Sequence, residues 1–227
     1  MNLKNLNKYF DHTLLKPDAA AAEIEQLCRE AVYYDFYAVC VNSSYVPLAA
    51  RCLADTDIKV AAVAGFPLGA CETSVKAFEA ESAAKNGASE IDMVIHVGRL
   101  KDGDTQYVKK DIEAVVSAAA KYNASVKVIL ETCMLTDDEI ITACRLSEEA
   151  GAAFVKTSTG FAGGGAEVRH IELMKKTVGN RLSVKASGGI RTLRDVLAMI
   201  DAGADRIGAS AGVSIMKEAQ KTPDEIH

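Results

Sequence analysis

The sequence contains no tryptophan, and aromatic residues make up only 6% of its 227 positions, against 49% hydrophobic residues overall. A core built from such a chain must be filled mainly by Ala, Val, Ile and Leu, which suits parallel strands covered on both faces by helices. There is no long Lys/Arg run, and the net charge is −5. That balance speaks against nucleic acid or an anionic membrane as partner, and confines any phosphate recognition to a local pocket. The six cysteines, Cys28, Cys40, Cys52, Cys71, Cys133 and Cys144, form no C-x-x-C pair. Their apolar or helical settings read as buried reduced thiols rather than a disulfide scaffold. No apolar run reaches membrane-spanning length, and Met1-Asn2-Leu3-Lys4 leads into no signal-like segment, so the expected location is the cytoplasm.

What is present is alternation. Short β-rich runs fall at 9–13, 37–41, 59–64, 90–95, 126–131, 153–158, 183–187 and 206–209, most of them reading as continuous apolar stretches of fully covered strands. Between them lie amphipathic helices. Ile24, Leu27, Cys28 and Ala31 occupy i, i+3, i+4, i+7, and the spacing recurs in Val108, Ile112, Val115, Val116, Ala119 and in Leu193, Val196, Leu197, Ile200. Thr136 with Glu139 has capping-box spacing, and Thr192 with Asp195 is an acidic variant of it. Asn86-Gly87-Ala88, Ala150-Gly151-Ala152 and Ala202-Gly203-Ala204 each end a helix just before a strand, as one reused βα unit would. No Pro/Ser/Gly-rich linker divides the chain, and about 200 to 250 residues suffice for one barrel. The first βα junction lacks G-x-G-x-x-G, which disfavours an open dinucleotide-binding sheet. The expected fold is therefore a single (β/α)8 TIM barrel over residues 1–227.

Active sites of such barrels lie at the C-terminal ends of the strands. The polar residues near those ends are Asp11, Asp92, Glu131, Lys156 and Lys185. Burial disfavours the ammonium form of Lys156 in Val155-Lys156-Thr157-Ser158, and a neutral amine attacks a carbonyl well. Alone, it could equally be a lysine that snorkels from the strand end or pairs with a carboxylate. Lys185, one βα unit later, would disfavour a second ammonium beside it, or else bind phosphate as a point charge. Asp92, between Ile91 and Met93, is either a buried ion-pair partner or a proton-transfer group. Ser187-Gly188-Gly189 and Gly208-Ala209-Ser210-Ala211-Gly212 follow the seventh and eighth strands, where barrels commonly hold phosphate on backbone N–H groups and a helix end; Arg191 could add charge. Gly160 and Gly163-Gly164-Gly165 read as an adjoining wall, a lid or plain turns. Cys40 faces the barrel interior or the site, more as packing than as nucleophile. His12, His96, His170 and His227 show no metal-ligand spacing. A metal-dependent lyase or epimerase using Asp11, Asp92, His96 and Glu131 stays open as a rival, as does a silent sugar-phosphate sensor.

The segments Val155-Lys156-Thr157-Ser158-Thr159-Gly160, Val184-Lys185-Ala186-Ser187-Gly188-Gly189-Ile190-Arg191, Glu90-Ile91-Asp92-Met93-Val94 and Gly65-Phe66-Pro67-Leu68-Gly69 carry a family signature. From Asp11 to Ser210 the chain resembles the deoxyribose-phosphate aldolases in their short bacterial form. That resemblance implies a class I aldolase of deoxyribonucleoside catabolism that cleaves 2-deoxy-D-ribose 5-phosphate reversibly to D-glyceraldehyde 3-phosphate and acetaldehyde, without metal or organic cofactor. It implies a Schiff base on Lys156, perturbation by Lys185 and proton transfer by Asp92. It also implies phosphate contacts from Gly160, Gly188, Gly189, Gly208 and Ser210. Asp11 and Cys40 are further candidates for substrate contact. Two departures stand out. Phe161 occupies a position where some longer members carry lysine, and Glu225-Ile226-His227 stand where longer members carry a tyrosine tail, leaving proton transfer to water or another group. Exposed apolar helix faces make a homodimer the expected assembly.

Overall fold

A computed structural model of the chain describes residues 3–221. A short 3-10 helix, Leu3–Tyr9, leads into β1 (Phe10–Leu14), α1 (Ala21–Tyr34), β2 (Ala38–Val41), α2 (Val46–Cys52), β3 (Lys59–Ala64) and α3 (Thr73–Lys85). The middle of the chain supplies β4 (Glu90–Val94), α4 (Val97–Lys101), α5 (Thr105–Ala120), β5 (Ser125–Ile129) and α6 (Asp137–Glu149). It ends with β6 (Phe154–Lys156), α7 (Val168–Val178), β7 (Ser183–Ser187), α8 (Leu193–Asp201), β8 (Arg206–Ala209) and α9 (Gly212–Lys221). The eight strands are parallel and close in sequence order, with β8 pairing back onto β1. The expected (β/α)8 barrel is the fold.

The local signals act where the sequence places them. Thr136 accepts from the Glu139 amide while Glu139 accepts from the Thr136 amide at 2.7 Å, and Thr192 with Asp195 does the same for α8. Gly87, Gly151 and Gly203, at the three helix–strand junctions, all take positive φ, which a Cβ would oppose. The helix stripes bury as expected, with Val116 and Leu197 only half-buried at their edges. No helix among the described residues is long and apolar enough to cross a membrane.

Two expectations are corrected. Several strands alternate rather than running apolar throughout. In Glu90-Ile91-Asp92-Met93, Ser183-Val184-Lys185-Ala186 and Arg206-Ile207-Gly208-Ala209 the apolar member packs outward in the main core, and the polar member faces the barrel axis. The interior at β1 and β4–β8 is charged, whereas at β2 and β3 it is a small apolar cluster of Cys40, Ala61 and Val63 with Leu15 and Phe66 against it. The cysteines are all free, but only Cys28, Cys40 and Cys144 are buried; Cys52 at the end of α2 and Cys133 in a 3-10 turn are exposed.

Candidate active site

β6 is three residues long and ends on Lys156, so the lysine stands at the C-terminal rim with Thr157, Ser158 and Thr159 continuing into the loop. β7 lies beside it in a register that makes Lys156 and Lys185 direct partners. β4 pairs with β5 so that Asp92 faces Lys127, and β7 pairs with β8 so that Lys185 faces Arg206. Because neighbouring partners point to the same face of the sheet, the register alone collects these charges inside the barrel.

Asp92 is the hub. Its Oδ2 accepts from Lys156 Nζ at 2.9 Å and from Lys185 Nζ at 2.8 Å, and its Oδ1 accepts from Lys127 Nζ at 2.9 Å. Lys185 also donates to Asp11, and Lys127 donates to Glu90 at 2.5 Å. Arg206 donates to Asp11 at 2.8 Å and more weakly to Glu90 at 3.4 Å. Burial alone would push the Asp92 carboxyl up; Lys127, Lys156 and Lys185 outweigh it and hold the group well below the usual carboxylate range. The same contest brings Asp11 from 3.8 down to about 2, through Lys185, Lys127 and Arg206. Burial would lower Lys185, but Asp11 and Asp92 prevail and raise it, so this residue is a firm cation at neutral pH.

Above the hub opens a cavity of about 260 Å³. Lys156 lines it and is 3% exposed, whereas Lys185 lies wholly beneath. The two amines meet at one carboxylate oxygen, with only one of them at the cavity surface. Gly160, Gly188, Gly189, Gly208 and Ser210 all contribute to the wall, together with Thr13, Ser187 and Arg191. Ser210 precedes α9, so the β8 loop delivers a helix N-terminus to the same wall. Gly208 has a second purpose. A Cβ there would lie 3.0 Å from Lys185 Cε, and its absence leaves room for the lysine stem to reach Asp92. Gly163, Gly164 and Gly165 are not among the residues lining the cavity; Gly165 packs against the Gly188 backbone, where the Gly188 carbonyl accepts from the Ala166 amide at 2.9 Å and a Cβ on Gly165 would sit 2.4 Å from that same oxygen.

Other candidates lie elsewhere. Asp11 and Cys40, the further candidates for substrate contact, are fully buried in the layer below the residues that line the cavity. Asp11 is occupied by Lys185 and Arg206, and the Cys40 thiol, in its apolar cluster, is pushed up to about 11 by burial and by Asp92. Glu131, in the left-handed region at φ 59°, accepts from the backbone and hydroxyl of Thr159 and so staples the end of β5 to the loop after β6. His96 caps α4 through Nδ1, His12 packs outward on Phe36 and bonds Glu30, and His170 is buried in the first turn of α7. His227 and the segment 225–227 lie outside the described residues. Among the described residues no three His, Cys, Asp or Glu side chains gather in a metal-binding arrangement.

Sequence reasoning missed Lys127, Glu90 and Arg206 as members of the charged interior, and Lys16, which lines the cavity rim. Strand parity carried the first three: each stands two residues from an inward polar or small residue on its own strand or opposite one in register. Lys16, after the first strand, had only its position as a signal.

A family model described as DeoC/LacD family aldolase matches residues 6–219. The chain belongs to the DeoC/LacD aldolase family. It is 58% identical over 218 residues to the deoxyribose-phosphate aldolase of Thermoanaerobacter pseudethanolicus, covering 96% of this chain and 98% of that one. With the deoxyribose-phosphate aldolase of Thermococcus gammatolerans it shares 57% over 218 residues, 95% of this chain and 97% of the relative. Among solved structures, the deoxyribose phosphate aldolase of Aeropyrum pernix, described as a unique tetramer, superposes with a TM-score of 0.89 at 32% identity, covering 96% and 92% of the two chains. The family resemblance read from the Lys156 and Lys185 segments therefore holds over nearly the whole chain.

Proposed function

We propose that this chain is a class I aldolase that reversibly cleaves 2-deoxy-D-ribose 5-phosphate to D-glyceraldehyde 3-phosphate and acetaldehyde, with Lys156 as the Schiff-base residue. The observation that carries the reading is the position of Lys156 Nζ, at the cavity floor and 2.9 Å from a carboxylate oxygen that a second, fully buried lysine also holds. Lys156, as free amine, adds to the C1 carbonyl of the open-chain sugar to give a carbinolamine. Asp92, directly or through one water, handles the protons as the carbinolamine loses water and becomes an iminium. The two-carbon product fixes the broken bond as C2–C3. The C3 hydroxyl gives up its proton to Asp92, directly or through one water, the C2–C3 electrons flow into the iminium to form an enamine, and C3 leaves as the new aldehyde. Protonation at C2 and hydrolysis then release acetaldehyde and restore the amine. The iminium places its positive charge on the Lys156 nitrogen, and Asp92, 2.9 Å from that atom in the free enzyme, stands beside it as the counter-ion.

In this reading Lys185 is the fixed cation that disfavours a second ammonium at Lys156. The 5-phosphate lies against Gly160, Gly188, Gly189, Gly208 and Ser210, where the backbone of the β7 and β8 loops and the start of α9 favour an anion. Lys16 and Arg191 add charge at the rim. Asp11 acts from beneath, through Lys185, and Cys40 packs the floor. The chain works as one domain spanning 1–227, in the cytoplasm, and as a homodimer; exposed apolar residues on α1 and α3, Tyr33 and Phe78 among them, support self-association.

Borohydride added with substrate tests the assignment. Reduction should fix one covalent adduct on Lys156, mapped by peptide mass spectrometry. An adduct at another lysine, or turnover without any adduct, overturns it.

A further inference from the structure

Glu90 and Arg206 lie at the bottom of the charged interior and do not line the cavity. Arg206 stacks its guanidinium 3.5 Å over the Tyr37 ring, with Phe154 at 5.4 Å, and donates to Asp11 and Glu90. Glu90 is shared between Arg206 and Lys127, and Lys127 continues to Asp92. A continuous set of ion pairs thus runs from the barrel floor to the carboxylate that holds Lys156.

The charges in this set balance in one way only. Asp11, Glu90 and Asp92 are three carboxylates, and Lys127, Lys185 and Arg206 are three cations. Lys156 is the fourth cation and the member without an offsetting charge of its own, since Asp92 is already matched. We propose that Glu90 and Arg206 are positioning residues that set the protonation state of Lys156 from the barrel floor, by holding the buried interior around it at zero net charge. The inference rests on the reading of Lys156 as the Schiff-base residue.

To that balance β1 brings Asp11, β2 the Cys40 thiol, β4 Glu90 and Asp92, β5 Lys127, β7 Lys185 and β8 Arg206, while β3 brings only Ala61 and Val63. β6 contributes Lys156 itself, and the buried Glu131 at the end of β5 lies outside the ion-paired set, its carboxylate held by the Thr159 amide and hydroxyl. The Tyr37 phenol lies under Arg206, and Lys16 and Arg191 are exposed at the rim, where solvent screens them. Inside, charges several ångströms apart still interact strongly. Removing the Arg206 charge leaves the surroundings negative and favours the ammonium at Lys156. Removing the Glu90 charge leaves them positive and favours the free amine. A role in folding alone would weaken the protein in both cases without moving the pH profile in opposite directions.

The test is the acid limb of kcat/KM against pH for cleavage of 2-deoxyribose 5-phosphate, which rises as the amine loses its proton. Arg206→Met should move that limb up by on the order of one pH unit and Glu90→Gln should move it down by about as much. The double variant Glu90→Gln/Arg206→Met restores the balance, and Arg206→Lys never disturbs it, so both should keep the limb within about half a unit of the parent. If Arg206→Met does not fold, Glu90→Gln and the double variant still decide: a lowered limb in the first and a restored one in the second support the inference. Limbs that stay fixed, or that move the same way in Glu90→Gln and Arg206→Met, overturn it. Borohydride mapping on the same samples separates the two levels. No adduct at Lys156 in the parent enzyme sinks the Schiff-base reading, whereas an adduct at Lys156 with unmoved limbs sinks only the floor-pair inference.

Discussion

Four lysines of this protein are buried beside an aspartate, and two of them, Lys76 and Lys156, are chemically opposite. Lys76 on α3 is wholly inaccessible and bonds Asp111 of α5 at 2.5 Å, with the Gly69 carbonyl accepting at 3.0 Å and Thr73 donating to the other Asp111 oxygen at 2.8 Å. Its stem runs beneath Gly65, where a Cβ would come within 2.8 Å of Lys76 Cε. One cation meets one carboxylate, neighbours supply further polar contacts, and the amine is out of solvent's reach. Lys156 has a carboxylate too, but shares its oxygen with Lys185 and borders an open cavity. Burial beside an acid therefore does not make a lysine reactive. An incomplete claim on that acid, together with access from above, does.

The sharpest break between the two lies in turnover. Lys156→Leu should lower kcat at least about a thousandfold, because the covalent electron sink is lost, with the melting temperature close to that of the parent. Near-parent turnover in that variant would end the Schiff-base assignment. Lys76→Met should do the reverse. Asp111 would be left buried without its cation, at a cost of about 3–5 kcal/mol in urea unfolding, while kcat per folded molecule stays within about twofold. Replacing both partners, as Lys76→Met/Asp111→Leu, should recover much of that loss, since the uncompensated charge is gone.

Lys185→Leu sits between these extremes and tests what separates them. Removing this fixed cation leaves Lys156 alone on Asp92 Oδ2, which is the Lys76 arrangement reproduced in the barrel. The ammonium is then favoured. The expected result is a kcat loss of roughly a hundredfold or more at neutral pH, with the acid limb of the pH–rate profile moved to higher pH. A loss of rate with an unmoved limb would assign Lys185 to substrate positioning instead.

Much of this was legible before any coordinates. The repeated Gly-Ala junctions, the capping boxes at Thr136 and Thr192 and the helix stripes act where the sequence puts them, because each is a local device whose geometry depends on residues within one turn. Lys156, Lys185 and Asp92 stood out as charges interrupting apolar strands. Lys76 did not, since a lysine on a helix is ordinary until the neighbouring helix proves to carry its acid. Lys127, Glu90 and Arg206 required register: which strand residue faces which is fixed by barrel closure, and that is not written in any single segment. The depth of Asp11 and Cys40 below the rim is hidden in the sequence for a related reason. Their strands are identifiable from sequence, but the depth of each inward residue below the rim depends on the stagger of neighbouring strands.

The smallest expected effect concerns the rim, where the comparison between buried and exposed lysines finds its third member. Lys16 lines the same cavity as Lys156 but is exposed, on the loop after β1, with Phe161 across the mouth packed edge-on against Phe66 at 5.2 Å. Phe161 brings no charge, so the rim cations that can meet a phosphate are Lys16 and Arg191. A solvated ammonium meeting a solvated phosphate gains little, because water and salt screen both. Lys16→Met should accordingly raise KM for 2-deoxyribose 5-phosphate by only about threefold to tenfold, leave kcat near the parent value, and make KM less sensitive to added salt. Unphosphorylated 2-deoxyribose should show no such change. An equal loss on both sugars would mean that Lys16 shapes the loop rather than the anion site, and a loss in kcat would place it nearer the reacting carbons than the rim geometry does.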